Sequence, residues 1–380
     1  MLTTLTGPIH GTVDPRLIET LAPLAAAVNG DPEYSFQAAA YRKGACVLDI
    51  WGGRHMSGDS IIVPYSVTKN TIGLSIALLV ERGLLDLDER VAYYWPQFGA
   101  KGKKDVTVRM LLSHQAGLPQ ARPLLTWDEI LDHHAAAERL ADTRPYWQPG
   151  SAFGYHAITI GNLADELVYR VSGRTLHEFY EQEIRRPHDI DFYLGLPEGM
   201  EERRVPVLPM TPPVAPAPAS YLPPLLIEVM GGAGPDVDLA NDEASWRFGH
   251  PAGSGIGSAR GLARLFAAAV TGVDGGAPFL SADTVSVVGQ QQVRGYDEVL
   301  GQAHRSHSIV FQKPTPGMPF GGPRAFGHDG AQGCFAGMEP DTGLAFAYTV
   351  ARGPWPGGAD PRAFTLLRAV GESLAEVTVP

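Results

Sequence analysis

Cysteine is nearly missing from this chain: Cys46 and Cys334 are the only two in 380 residues. Two thiols do not make the disulfide framework of a small secreted scaffold, and both read as buried free cysteines. Basic charge is also scarce. Against 41 Asp and Glu there are 30 Lys and Arg, a formal net charge of −11, which argues against nucleic acid or an acidic membrane surface as partner. The acidic residues are dispersed, so no acidic tail is implied. No apolar run approaches the ~20 residues of a membrane-spanning helix. The N-terminal M-L-T-T-L-T-G-P-I-H-G has neither a basic n-region nor a long apolar h-region, so no signal peptide is read and the expected compartment is the cytoplasm. H-E-x-x-H and G-x-S-x-G are absent, which counts against zinc-hydrolase and α/β-hydrolase chemistry. No internal repeat is visible.

What the chain does have is core-forming material. Hydrophobic residues make up 44% and charged residues 19%, the composition of a globular protein long enough to bury a large core. Its most apolar stretch follows P-Y-S-V-T-K-N, Pro64 to Asn70, and reaches Val80 before Gly83 supplies a helix stop. Ser66 and Lys69 are three residues apart, so a helix starting here places both on one face, near its positive end. S-x-x-K alone is a weak signal, and on spacing alone a surface lysine one turn after a serine explains it better. Its position at the mouth of a buried helix is what gives it weight.

Taken in order, Asp14 to Asn29 reads as an amphipathic helix, and Ser35 to Tyr41 with Ala45 to Trp51 as a hairpin. Thr126 and Glu129 form a capping box ahead of a helix that ends before Pro145, and Thr175 with Glu178 caps another. Trp147 to His156 is a turn-rich loop, and Ile158 to Val171 is a helix closed by Gly173. Pro206 to Pro224 holds eight prolines and reads as an extended surface loop. The glycines of 253–257 precede a helix from Ala259 to Val270, without the full pattern of a dinucleotide site. Ser308 to Gln312, Ala325 to His328, Gly333 to Met338 and Leu344 to Val350 read as strands, and Ala363 to Ala375 as a closing helix. Strands at both ends with helices between them predict an α/β (α+β) fold. One antiparallel sheet is built from both chain ends and flanked by helices. The expected division is an α/β part from 1–65 with 295–380, and a mainly helical subdomain over 66–294, together forming one catalytic unit.

Four motifs then form an ordered set: S-V-T-K at Ser66, L-L-S-H-Q-A-G-L at Leu111, W-Q-P-G…Y from Trp147 to Tyr155, and G-H-D-G at Gly327. Together they resemble the serine β-lactamase and penicillin-binding-protein superfamily, its class C-like branch, and within that the family VIII carboxylesterases. The resemblance implies a β-lactamase/transpeptidase-like fold and an acyl-enzyme on Ser66. Lys69 is the implied activating amine and Tyr155 the implied proton relay. The backbone N–H groups of Ser66 and Ala331 are the implied oxyanion hole. No metal or organic cofactor is implied. Beside the analogy stands the chemistry: a serine hydroxyl needs an adjacent base, burial lowers a lysine pKa, and a phenol beside an amine ionises more easily. Alone, Tyr155 reads as a buried structural tyrosine, His328 as a core histidine, and Ser113 and His114 as parts of a turn. His304 and His307 have a spacing compatible with metal ligands but no partner nearby.

Two departures from the lactamase pattern point to the substrate. The triplet Tyr155-His156-Ala157 ends in alanine where the lactamase and peptidase members usually carry an asparagine amide. His328-Asp329-Gly330 stands where those members have lysine-threonine-glycine, and a neutral histidine with an aspartate attracts a substrate carboxylate poorly. Ala157, His328, Asp329 and Gly330 are therefore the expected substrate-binding positions. The expected reaction is hydrolysis of small-molecule carboxylic esters, with no nucleic-acid or membrane partner and an oligomeric state left open. An amidase, an acyltransferase, a weak β-lactamase or DD-peptidase, and a catalytically silent scaffold are the alternatives.

Overall fold

The protein is described here from a computed structural model covering residues 2–212, 223–231 and 238–375. A seven-stranded antiparallel sheet draws on both chain ends. Its N-terminal strands are β1 (Thr3–Leu5), β2 (Ile9–Val13), β3 (Phe36–Arg42) and β4 (Ala45–Gly52). A separate hairpin follows, β5 (Val293–Asp297) with β6 (Gln302–His307). The C-terminal strands are β7 (Phe326–Asp329), β8 (Phe335–Glu339) and β9 (Leu344–Val350). The order across the sheet is β1-β2-β4-β3-β9-β8-β7, so the chain's two ends meet where β3 pairs with β9 along its whole length. Both faces of these central strands are buried, which is why Ala38–Ala40 and Ala345–Ala347 read as continuous apolar runs without alternation.

Four longer helices organise the rest: α1 (Lys69–Glu81), α2 (Thr159–Ser172), α3 (Ala259–Val270) and α4 (Pro361–Ser373). Residues 69–79 of α1 are all buried, as the nearly all-round apolar run from Ile72 predicts, and Lys69, Asn70, Thr71 and Ser75 are buried with it. Gly73 lets it close on Phe311: a Cβ there would lie 2.3 Å from the ring. Helix α2 stops at Gly173, whose φ of 73° is the left-handed cap that glycine adopts without strain. Helix α3 packs on β3, β8 and β9 although its residues fall within the 66–294 stretch. Both capping boxes, Thr126 with Glu129 and Thr175 with Glu178, are formed.

Three local expectations need correction. Ser308 to Gln312 is not a strand but a buried turn, with Val310 at φ 66° and the Ser308 N–H donating to Phe311 O. Ile309, Val310 and Phe311 are fully buried there, so an apolar run imitates a strand while the pairing strand is β6. The expected helix over 14–29 opens as a 3-10 turn, Pro15–Leu21, before Ala22–Gly30 becomes α-helical. The helix capped by Thr126 lasts only Trp127–Ile130 and restarts at Ala135–Ala141. In the proline-rich stretch, 206–212 has neither helix nor strand, and 213–222 lie outside the described residues. Both cysteines are free; Cys334 is buried and Cys46 partly so.

Candidate active site

Tyr65 introduces the site with a backbone φ of 52°, a left-handed turn that costs a non-glycine residue on the order of 1 kcal/mol. It swings the chain into a 3-10 turn, Tyr65–Thr68, that runs directly into α1. Ser66 therefore sits half-exposed at the head of the helix, and Lys69 points back from its first turn, completely buried. Lys69 Nζ lies 3.1 Å from Ser66 Oγ, 2.7 Å from Ala157 O and 2.6 Å from Ala252 O. Burial drives the Lys69 pKa well below its ordinary value, and Asp329 only partly opposes this.

That arrangement fixes the amine's geometry. A neutral amine has two N–H donors and one lone pair, and the two carbonyls can only accept. In the neutral amine they take both donors and the lone pair faces the Ser66 hydroxyl, while in the ammonium the third N–H donates to Ser66 Oγ. The Ala252 carbonyl reaches Lys69 because α2 offers glycine where loop 250–254 crosses it: a Cβ on Gly161 would meet Ala252 Cβ and N at 3.0 Å.

Tyr155 packs its ring under the same amine, with Nζ 4.9 Å from the ring centroid. Its hydroxyl is buried and makes no well-formed hydrogen bond among the described residues, but it lies near enough to Ser66 for a hydrogen bond with that side chain to act on its pKa. The expectation that this phenol ionises easily is overturned. Burial pushes its pKa well above the ordinary value, Asp329 and Asp297 add to the shift, and only Ser66 and Arg305 act the other way. Tyr155 is therefore a neutral phenol beside an amine whose charged form burial disfavours.

Four histidines line this chamber. His114, His307 and His328 lie with ring centroids 5.2, 6.1 and 5.8 Å from that of Tyr155, and His156 lies 5.6 Å from His114. Burial depresses all four pKa values, that of His156 to about 4, so none is a cation at neutral pH. His328 is held by a bond from Nδ1 to Asp329 O at 2.7 Å. His156 accepts the Leu118 N–H at Nε2 and donates to Gly154 O. His307 and His304 do not converge. Three residues apart on β6 they face opposite sides, His307 buried and His304 exposed.

The other expected positions gather at the same mouth. Gly330 abuts the start of the Ser66 turn, where a Cβ would lie 2.1 Å from Pro64 O, and so brings Ala331 alongside. Asp329 accepts a bond from Gln312 Nε2 at 2.8 Å, and its charge acts on both Lys69 and Tyr155. Ala157 enters through its carbonyl rather than its side chain. The sequence reading missed Ala252 and Asp297. Asp297 is buried on β5, and both of its carboxylate oxygens accept the Tyr155 N–H at 3.1 Å. Neither has a local signal, since Ala252 is 183 residues from Lys69 and Asp297 is 142 from Tyr155.

A family model described as Beta-lactamase matches residues 24–370. The chain belongs to the beta-lactamase family. Among members of this beta-lactamase family, the esterase/beta-lactamase LipL of Mycobacterium tuberculosis is 31% identical over 89% of this chain and 82% of its own. EstA from Arthrobacter nitroguajacolicus Rue61a is 40% identical with a TM-score of 0.89, covering 97% of this chain and 99% of EstA. A family VIII carboxylesterase structure is 30% identical with a TM-score of 0.87, over 96% of this chain and 100% of that one. Among the described residues no helix is long and apolar enough to cross a membrane.

Proposed function

We propose that this beta-lactamase-family protein is a serine carboxylesterase that works through an acyl-enzyme on Ser66. The observation that carries the reading is the commitment of both Lys69 donors to the Ala157 and Ala252 carbonyls, which leaves the amine lone pair for the serine proton. As Ser66 Oγ attacks the ester carbonyl, its proton moves to Lys69 Nζ. The new ammonium keeps its two carbonyl partners and gains a donor toward Oγ. The backbone N–H groups of Ser66 and Ala331 receive the oxyanion, each worth roughly 3 kcal/mol in the transition state. Tyr155 passes its phenolic proton to the departing alkoxide and takes one back from the Lys69 ammonium, so that both return to their neutral forms as the C–O bond to the alcohol breaks. Water then attacks the acyl-enzyme, the carboxylic acid leaves, and Ser66 regains its proton. A phenol kept neutral by burial suits a relay that donates to a leaving group rather than a resting phenolate base.

Esters fit the pocket better than β-lactams for reasons of charge. Buried His328 is neutral and Asp329 is its neighbour, so the triplet offers no cation to a substrate carboxylate. Ala157 has no amide for an acyl-amide substrate. Hydrolysis of nitrophenyl esters of increasing acyl length, with a chromogenic β-lactam alongside, tests the reading. Ester turnover with a higher kcat/KM than the β-lactam is expected. A β-lactam preferred over every ester makes the protein a lactamase, and no turnover of either makes it a silent homologue. The EstA and LipL likenesses support the esterase arm.

A further inference from the structure

A second polar cluster lies away from Ser66. His133 stands in the turn between Trp127–Ile130 and Ala135–Ala141, Asp165 on α2, and His177 in the short helix Leu176–Tyr180. One ligand atom from each lies within 4.8 Å of the others. His177 is the informative member. Its Nε2 is 3.0 Å from both Phe248 O and Gly249 O, and because carbonyls only accept, Nε2 must carry the proton. The lone pair is then on Nδ1, which is buried without a hydrogen-bond partner and faces Asp165 Oδ2 at 4.0 Å. Two acceptors facing each other across 4.0 Å, with the His133 ring 2.6 Å from the same Asp165 oxygen, leave room for a cation to join all three.

We propose that His133, Asp165 and His177 bind one divalent transition-metal ion of the zinc class, at a site separate from the catalytic serine. A ligating imidazole that donates its other N–H to a backbone carbonyl is the usual support of such a ligand, and His177 has two such carbonyls. Asp165 is oriented by the Leu176 N–H on Oδ1 at 2.6 Å, which leaves Oδ2 for the ion. The Phe248 ring walls the site, 5.0 Å from the His133 ring and 5.1 Å from that of His177. Two imidazoles and one carboxylate suit zinc or cobalt rather than magnesium or calcium, which take oxygen ligands.

Without metal, His133 Nδ1 lies 2.6 Å from Asp165 Oδ2 as a hydrogen bond. Tetrahedral ligands about 2.05 Å from an ion are about 3.3 Å apart, so His133 must swing out slightly and lose its Nδ1 proton to solvent. Its ring is one-third exposed and free to do so, and it provides the path of entry; water completes the fourth position. His134 does not take part, since its Nδ1 is 2.6 Å from Glu166, which also binds Arg170. The ion would tie α2 to the loop that begins at Phe248 and carries Ala252 toward Lys69.

The test is titration of the whole chain, freed of metal by chelator, with Co²⁺ followed by its visible absorption, and with Zn²⁺ by calorimetry. One ion per chain, a tetrahedral cobalt spectrum and a higher Tm with Zn²⁺ are expected. His133→Ala, at a partly exposed position, should fold normally and weaken binding at least about tenfold, as should His177→Ala. If His177→Ala fails to fold, His133→Ala decides alone. No binding at about 1 mM ion, or equal binding by wild type and His133→Ala, overturns the site and reduces any bound metal to adventitious surface histidines. Ester hydrolysis stands or falls separately, because none of the three residues touches Ser66 or Lys69.

Discussion

Lys69 and Lys103 are both completely shut off from solvent, yet only one sits in a plausible catalytic centre. Lys103 Nζ donates to Thr143 O at 2.6 Å and lies 5.7 Å from the Phe98 ring, and burial lowers its pKa to about 8. Lys313 repeats the pattern, bonded to Ala325 O with a pKa also near 8 through burial. Neither has a hydroxyl at hydrogen-bond distance from its amine. Lys69 has two carbonyls, one hydroxyl and an opening through half-exposed Ser66. A depressed lysine pKa is thus a common result of burial. Chemistry requires in addition a lone pair directed at a proton worth removing, within reach of substrate.

The largest effect should separate these lysines outright. Ser66→Ala and Lys69→Met should each lower kcat for ester hydrolysis on the order of 10⁴-fold, as loss of a nucleophile or its base does elsewhere. Lys103→Met should leave kcat within about twofold of wild type, because it acts on no reacting atom. Its effect belongs in a melting curve, where the orphaned Thr143 carbonyl costs on the order of 1 kcal/mol. Equal kinetic damage by both methionine variants would erase the distinction.

Tyr155→Phe comes next. It keeps the ring among His114, His307 and His328 and removes only the buried hydroxyl. Single-turnover kinetics should show a loss in the acylation rate of about 10²-fold or more. An unchanged rate would return Tyr155 to a packing role.

A smaller effect concerns substrate charge. A neutral ester should have a several-fold higher kcat/KM than a matched ester carrying a carboxylate near the reacting carbonyl. Two like charges about 6 Å apart at an effective dielectric near 20 repel by roughly 3 kcal/mol before screening. His328→Lys with Asp329→Thr should narrow or reverse that preference in paired kcat/KM measurements. An unaltered preference would move selection to Arg305 or the pocket walls.

The finest contrast lies in the pH profile. The neutral amine is the active form, so kcat/KM should rise as pH passes upward through the Lys69 pKa, which burial places well below 10.5. No alkaline fall should follow near pH 10, because burial moves the Tyr155 phenol further up. Asp329 favours the Lys69 ammonium, so Asp329→Asn should shift the rising limb to lower pH. A shift to higher pH would contradict the assignment. The same depression means that the folded chain binds fewer protons than the unfolded chain between the two Lys69 pKa values. Stability from this residue should therefore increase with pH across that interval and be fully lost, with no further pH dependence, below the folded pKa.

How much of this was legible follows from distance along the chain. Ser66 and Lys69 lie one helical turn apart, and a turn is a local object. The hairpin of β3 and β4, the left-handed stop at Gly173 and both capping boxes were readable for the same reason. The pairing of β3 with β9 followed only from strands recurring at both ends. Ala252, Asp297 and His307 were not readable as site residues, because what brings them there is tertiary: the clearance at Gly161 and the hairpin β5–β6. The buried turn at Ile309–Phe311 misled because complete burial erases the alternation that tells strand from loop. The upward shift of the Tyr155 pKa was not readable either, because its main cause is the burial of the phenol by residues distant in the sequence.

The most direct test of the central claim is peptide mapping by mass spectrometry after reaction with a fluorophosphonate, in which Ser66 Oγ displaces fluoride from phosphorus. The account predicts a single adduct on the peptide carrying Ser66, formed faster as pH rises through the Lys69 pKa and absent from Ser66→Ala and Lys69→Met. An adduct on any other serine, or undiminished labelling in Lys69→Met, would contradict it.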